Sequence, residues 1–330
     1  MSIYLVTGTA GFVGFALARR LLSEGHTVFG LDNYNDYYDV GLKKKRTQIL
    51  QTEGGKNFVF ETLDLSNERE TLDFFEKSQP EFVVHLAAQA SVRYGLKNPM
   101  AYCKNNLVGH FHVLEACREL HKNGVLKHLV YASSSSVYGG NEAVPFKETD
   151  DVSRPVSLYA ATKRADELVS YSYSHMWGLP ATGVRFFTVY GPWGRPDMSP
   201  MVFGKAILDG TPLPVFNHGD LWRDFTYIDD IVEGVVRLTQ YIPAEDTPHA
   251  LFNIGNSEPV QLLGFIEILG NILGKTPQLD LQDCPPTEVY KTYADTSALE
   301  AAVGWKPSTD LRTGLQHFAE WFVPYYEGKL

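Results

Sequence analysis

Short apolar runs that end at glycine or at a carboxylate alternate with longer stretches of helical period along the first half of this chain. The first, Ile3-Tyr-Leu-Val-Thr7, lacks polar alternation, as a strand covered on both faces of a parallel sheet must. Gly8-Thr-Ala-Gly11-Phe-Val-Gly14 follows, and Val13, Leu17 and Leu21 then recur at helical spacing. Thr27-Val-Phe-Gly-Leu31 is a second buried strand, closing on Asp32, so the segment reads as a βαβ unit. Further strands are expected at Asn57–Thr62, Phe82–Leu86, His128–Ala132 and Thr182–Phe187, with helices over about Ala101–Leu120 and Leu158–Trp177. This alternation predicts an α/β protein with a doubly wound parallel sheet. After Gly191 the elements become shorter and richer in proline and glycine, which predicts a smaller C-terminal lobe.

One stretch breaks the alternation. Asn33-Tyr-Asn-Asp-Tyr-Tyr-Asp39 starts with neither period and is expected to be an insertion; the basic run Lys43-Lys-Lys-Arg46 after it is expected to be a solvated helix face. At 330 residues the chain exceeds the ~250–300 that one core usually supports, in keeping with two lobes. Charged residues make up 21% against 44% hydrophobic, which excludes a disordered chain. A formal charge of −10 argues against nucleic acid and anionic membranes as partners, so any phosphate must be met locally. Cys103, Cys117 and Cys284 are far apart and form neither a disulfide framework nor a metal motif. With no leader pattern and no run near ~18 apolar residues, a cytoplasmic protein without a membrane span is expected.

The glycine loop lets backbone approach a pyrophosphate, since glycine has no Cβ to obstruct it, and the next helix offers free N–H groups to the anion. Strand, loop, helix and a closing Asp32 together make a dinucleotide fingerprint. Asp32 accepts from a ribose 2′-OH and repels a 2′-phosphate, so NAD is expected over NADP. The fold is therefore read as Rossmann-like, with residues 1–190 the NAD-binding domain, completed by a strand near 250–255, and 191–330 mainly the substrate lobe. Ala87-Ala-Gln-Ala90 and Ser133-Ser-Ser-Ser136 follow the fourth and fifth strands, where ligands gather in such sheets. Tyr159 and Lys163 stand one helical turn apart. A phenol of pKa ~10 is a poor base at neutral pH, but a nearby cation favours its ionised form and makes it a general base. His85, inside an apolar strand, is expected to be a hydrogen-bonded core residue, and no metal site is expected.

The glycine loop, Leu86-Ala-Ala, Ser133-Ser-Ser-Ser-Val-Tyr-Gly139 and Tyr159-Ala-Ala-Thr-Lys163, in this order, resemble the extended short-chain dehydrogenase/reductase family over nearly the whole chain. The resemblance implies that Ser134 assists Tyr159 and that Lys163 binds the nicotinamide ribose and lowers the phenol's pKa. It also implies a cofactor surface of Gly8, Gly11, Phe12, Val13, Gly14, Asp32, Asp64 and Leu65, continued by Leu86, Ala87, Ala88, Gln89, Asn106, Ser133, Tyr159, Lys163 and Phe186.

Arg185-Phe-Phe-Thr-Val-Tyr-Gly-Pro-Trp-Gly-Arg-Pro-Asp-Met198 and Arg223-Asp-Phe-Thr-Tyr-Ile-Asp-Asp230 are similar to the UDP-glucuronate 4-epimerase branch. That similarity implies a UDP-sugar substrate, with UDP-glucuronate and UDP-galacturonate interconverted through a 4-keto intermediate and transient NADH. Arg195 and Arg223 would face the UDP, and Phe203, Val215 and Phe216 its uracil. Hydroxyls of Ser134, Ser135, Ser136 and Thr188 would meet the C6 carboxylate. Dehydratases and UDP-glucuronate decarboxylases of this fold carry an acidic residue where Ser135 and Ser136 stand, which makes them less fitting. A UDP-glucose/UDP-galactose 4-epimerase is the alternative, and a non-enzymatic NAD-sensing protein need not retain Ser134, Tyr159 and Lys163 together. Relatives of this kind dimerise through the helices at about 101–120 and 158–177, so a homodimer is expected.

Overall fold

The computed structural model describes residues 1–92, 94–284 and 289–329. Its strands are β1 (Ile3–Thr7), β2 (Thr27–Asp32), β3 (Phe58–Thr62), β4 (Phe82–His85), β5 (His128–Ser134), β6 (Ala181–Phe186), β7 (Thr188–Tyr190), β8 (Leu213–Phe216), β9 (Trp222–Tyr227), β10 (His249–Ile254), β11 (Pro259–Gln261) and β12 (Leu279–Gln282). Its α-helices are α1 (Phe12–Ser23), α2 (Val40–Gly54), α3 (Glu68–Ser78), α4 (Pro99–Tyr102), α5 (Gly109–Lys122), α6 (Leu158–Trp177), α7 (Ser199–Asp209), α8 (Ile228–Gln240), α9 (Leu262–Leu273), α10 (Ser297–Val303) and α11 (Leu311–Tyr326). A π turn, Cys103–Val108, joins α4 to α5.

The chain divides into two compact units. The first comprises Met1–Gly139, Asp151–Arg185 and Val232–Phe252; the second comprises Gly140–Asp150, Phe186–Ile231 and Asn253–Leu330. The first is built on a seven-stranded sheet of order β10-β6-β5-β4-β1-β2-β3, in which β3, β2, β1, β4 and β5 run parallel. This is the Rossmann-like doubly wound sheet that the alternation of elements predicts. Strand order reverses between β1 and β4, so the loops leaving those two strands open the crevice where such sheets bind ligands. Leu5, Leu31, Val83, Val113, Leu114 and Leu129 are all buried in one cluster on this sheet. Each contributes about 1.5–3 kcal/mol on leaving water.

Helix α6 starts where the Ser157 hydroxyl accepts from Ala160 N–H and stops at Gly178 in the left-handed region. The expected insertion after Asp32 is instead the crossover from β2 to β3. Asp32, Asn33 and Asn35 each accept, through the side chain, the N–H two residues on, a chain of Asx turns that shows no hydrophobic period. Asp39 then caps α2 by accepting from Gly41 N–H.

The second unit contains a three-stranded sheet, β11-β9-β7, in which β9 runs antiparallel to β11 and parallel to β7. It also contains the parallel pair β12-β8. Stacked rings hold its core, Phe225 on Phe265 at 4.4 Å and Phe318 on Phe322 at 5.0 Å between centroids. Among the described residues, no helix is long and apolar enough to cross a membrane.

Candidate active site

The loop after β1 is closed by its own backbone. Gly8 N–H donates to Leu31 O at 2.8 Å, Gly11 N–H donates to Gly8 O at 2.9 Å, and Gly8 holds φ +74°. A Cβ at Gly8 would lie 2.9 Å from Ala87 N, and one at Gly14 would lie 2.2 Å from Gly8 O, so neither position admits a side chain without moving backbone. Gly11 is the N-cap of α1 and brings no capping side chain, which leaves the first-turn N–H groups open to an anion. Thr7 ties this loop to the one after β4. Its hydroxyl accepts from Leu86 and Ala87 N–H, each at 3.0 Å, and its proton goes to His85 Nδ1 at 2.8 Å. With both lone pairs taken, Thr7 fixes His85 as a core residue that accepts through Nδ1.

Asp32 ends β2 almost fully buried, and Tyr34 N–H donates to its Oδ1 at 2.9 Å. Burial pushes its carboxyl up, opposed by the cations of Lys43 and Arg46. Two members of the basic run are therefore not solvated, contrary to expectation: Lys43 and Arg46 are buried, while Lys44 and Lys45 remain exposed. Arg46 Nη1 donates to Ala10 O at 2.8 Å and to Tyr38 Oη at 2.9 Å, so α2 props up the glycine loop from behind. Asp64 Oδ1 accepts from Ser66, its Oδ2 pairs with Lys104 at 3.0 Å, and the adjacent Leu65 is buried.

Asn106 sits in the π turn and clamps three segments together. Its Oδ1 accepts from Gln89 N–H at 2.7 Å, while Nδ2 donates to Gln89 O at 3.3 Å and to Thr162 Oγ1 at 2.9 Å. The segment Leu86-Ala-Ala-Gln89 is thereby joined to α6 between Tyr159 and Lys163. Tyr159, half-buried, meets the ring of Tyr102 edge-on at 6.5 Å. Lys163 is buried, and its Nζ donates to Ala132 O at 2.9 Å and to Asp166 Oδ2 at 3.1 Å.

Beyond Ala132 the serines fold into a short turn. Ser134 Oγ donates to Ser136 Oγ and accepts from Ser136 N–H, both at 3.1 Å. Ser133 Oγ donates to Glu167 Oε1 at 2.6 Å. Burial alone would raise Glu167, but Arg185, Ser133 and Arg164 hold its carboxyl below the ordinary value. Asp166, Glu167, Thr162 and Arg185 were not singled out in the sequence. The signal available was two acids three and four residues after Lys163, with Arg185 leaving its strand.

The remaining expected residues belong to the second unit. Phe186 and Thr188 are half-buried, and Thr188 opens β7 opposite Phe225. Arg195 forks onto Asp197, Nε to Oδ1 at 3.1 Å and Nη2 to Oδ2 at 2.6 Å. Arg223 Nη1 donates to the carbonyls of Trp222, at 2.9 Å, and Tyr290, at 3.2 Å. Phe203 packs 6.1 Å from the Phe265 ring; Val215 is fully buried and Phe216 half-buried.

The sequence profile of the NAD dependent epimerase/dehydratase family matches residues 4–255. The chain belongs to this family. NAD fits the residues that this epimerase/dehydratase family member places at its switch point: a loop with no room for a Cβ, open N–H groups on α1, and the Asp32 carboxylate. Protein CapI of Staphylococcus aureus is 44% identical, over 98% of this chain and 99% of its own. A probable UDP-glucuronate 4-epimerase of Rhizobium meliloti (strain 1021) is 43% identical, over 98% of this chain and 97% of its own. Among solved structures, UDP-glucuronic acid 4-epimerase from Bacillus cereus, in complex with UDP-glucuronic acid and NAD, superposes with a TM-score of 0.89 at 31% identity. That match covers 98% of this chain and all of the other.

Proposed function

We propose that this chain interconverts UDP-glucuronate and UDP-galacturonate by reversible oxidation at C4 of the sugar. What decides for this reaction is the turn after β5, whose side chains at Ser134, Ser135 and Ser136 are hydroxyls. The two acids on the neighbouring helix are already engaged, Asp166 by Lys163 and Glu167 by Arg164 and Arg185. Dehydration needs a second acid–base group beside the first; epimerisation needs one.

NAD, when bound, supplies reversible two-electron oxidation at C4. Tyr159 takes the 4-OH proton and later returns it, with Lys163 one turn away favouring the phenolate. Ser134 donates to the reacting oxygen. The glycine loop and the first turn of α1 meet the cofactor pyrophosphate, and Asp32 holds its ribose. Asp64, Leu65, Leu86 to Gln89, Asn106, Ser133 and Phe186 complete that surface. Ser134, Ser135, Ser136 and Thr188 hold the C6 carboxylate; Arg195 and Arg223 hold the diphosphate, where guanidinium forks suit phosphate oxygens.

Phe111 on α5 and Leu168, Tyr171, Met176 and Trp177 on α6 expose apolar surface, which supports a homodimer through these helices. Its mass in solution tests this, and a monomer at micromolar concentration would sink it. The dispersed cysteines support a reducing, cytoplasmic setting. For the reaction itself, the purified protein is mixed with UDP-glucuronate and followed by NMR. UDP-galacturonate is expected; turnover of UDP-glucose with the uronate untouched would overturn the proposal.

A further inference from the structure

Lys163 and Asp166 lie three residues apart on α6 with side chains 3% and 1% exposed, Nζ to Oδ2 at 3.1 Å. The ammonium also reaches Ala132 O on β5 at 2.9 Å. The other carboxylate oxygen, Asp166 Oδ1, is buried without a hydrogen-bond partner among the described residues. Asp166 thus relies on Lys163, and Lys163 is held in place by one carboxylate and one carbonyl. A buried ion of this kind is costly to strand by removing its partner.

The neighbours offer Asp166 little other charge. His110 on α5 and His85 on β4 face the pair, and burial holds both imidazoles toward the neutral form. Tyr131 on β5 has its phenol pushed up by burial. Arg185 pairs with Glu167, and Tyr102 packs edge-on with Tyr159 while its hydroxyl donates to Ser91 O.

We infer that Asp166 is a positioning residue for the reaction: it anchors the Lys163 ammonium against β5 and offsets part of its charge, so that Tyr159 feels a tempered cation. This rests on Tyr159 as the proton carrier. Without Asp166 the full charge of Lys163 acts on the phenol, and the phenolate forms at lower pH.

The test is an ultraviolet phenolate titration of the NAD-loaded protein, with the Tyr159→Phe variant subtracted to isolate one tyrosine among 18. In Asp166→Asn the phenolate signal assigned to Tyr159 is expected to appear at lower pH than in the wild type, and the acid limb of kcat/KM to move with it. Asp166→Glu, which restores a carboxylate, is expected to move both back toward wild type. An unchanged or raised ionisation in Asp166→Asn overturns the inference and leaves wild-type epimerisation untouched. Absence of epimerisation by the wild type would instead strike the functional proposal, with the titration still readable. In the wild-type protein a Lys163 ammonium resonance protected from solvent exchange is expected, identified by its loss in Lys163→Arg. Rapid exchange of that signal overturns the anchoring whether or not Asp166→Asn folds.

Discussion

Arg185 and Glu167 meet as a bidentate pair, Nε to Oε1 at 2.8 Å and Nη2 to Oε2 at 2.9 Å, with both side chains buried. Arg185 also donates to Tyr138 Oη at 3.0 Å, and Glu167 accepts from Ser133, so one ion pair holds the serine turn at both ends. Arg185→Ala should cost up to about 3–5 kcal/mol, because it removes the buried partner of a buried carboxylate and leaves it only Arg164 and Ser133. Urea unfolding should show a lower midpoint at unchanged slope. The double change Arg185→Met with Glu167→Leu should cost less than either single truncation. A single truncation that leaves the midpoint in place would remove the pair from the stability of this unit.

Tyr159→Phe deletes the hydroxyl and keeps the ring that meets Tyr102. Loss of the acid–base group should lower kcat by about 10²–10⁴ while leaving the fold near wild type. Single-turnover assays with UDP-glucuronate measure this, and unchanged turnover would exclude Tyr159 as the proton carrier.

Oxidation of a uronate at C4 makes its C6 carboxylate a β-keto acid, which loses CO₂ when the scissile bond lies across the carbonyl plane. The hydroxyls proposed to hold that carboxylate therefore also restrain it. Ser135→Ala, Ser136→Ala or Thr188→Ala should release UDP-pentose or weaken uronate binding, read by NMR and titration calorimetry. Three variants that do neither would remove the serine turn and Thr188 from carboxylate recognition.

Gly14→Ala tests the loop by geometry, since the added methyl would fall 2.2 Å from Gly8 O. The loop must shift, and NAD binding should weaken at least tenfold, a loss of about 1.4 kcal/mol. Gly25, where a Cβ meets nothing within 4 Å but φ is +82°, provides the contrast: Ala there should lower stability and leave NAD affinity alone.

Acid should unfold this protein early. His128 is buried with Nδ1 3.2 Å from Thr239 O and Nε2 2.9 Å from Thr182 Oγ1. The carbonyl only accepts, so Nδ1 carries a proton. Burial lowers its pKa to about 4, and that of His249 also to about 4. In the unfolded chain both return to about 6.5 and take up protons first as pH falls. Their stabilisation is therefore present above about pH 6.5 and is lost as pH drops toward 4. His85 and His110 shift in the same direction. Urea midpoints measured at about pH 7.5 and pH 5 should differ, and His128→Gln should flatten the difference; equal midpoints in the wild type would contradict the argument.

Much of the sheet was legible because its strands are uninterrupted apolar runs that stop at glycine or aspartate, as Ile3–Thr7 and Thr27–Asp32 do. The burial of Lys43 and Arg46 on helix α2 was not, because both are polar by composition and buried by their partners, which lie in other segments. The π turn was hidden for a different reason. A helical pattern over Ala101–Leu120 carries no mark of the wider turn that re-aims Asn106 toward Gln89 and Thr162. Tyr159 and Lys163 were singled out by their spacing together with the glycine loop and the serine run, whereas Glu167 is placed by Arg185 and Ser133, 18 and 34 residues away.

Asp32 carries a second obligation that bears on redesign. The carboxylate proposed to hold the cofactor ribose also lies in the field of two interior cations, one of which, Arg46, holds the glycine loop by Ala10 O. Exchanging Asp32 for a neutral residue to admit a phosphorylated ribose would remove a buried carboxylate that faces those cations, and so disturb the support of the loop proposed to grip the pyrophosphate. A change at Asp32 made to alter cofactor preference therefore also reaches the glycine loop, through Arg46 and Ala10 O.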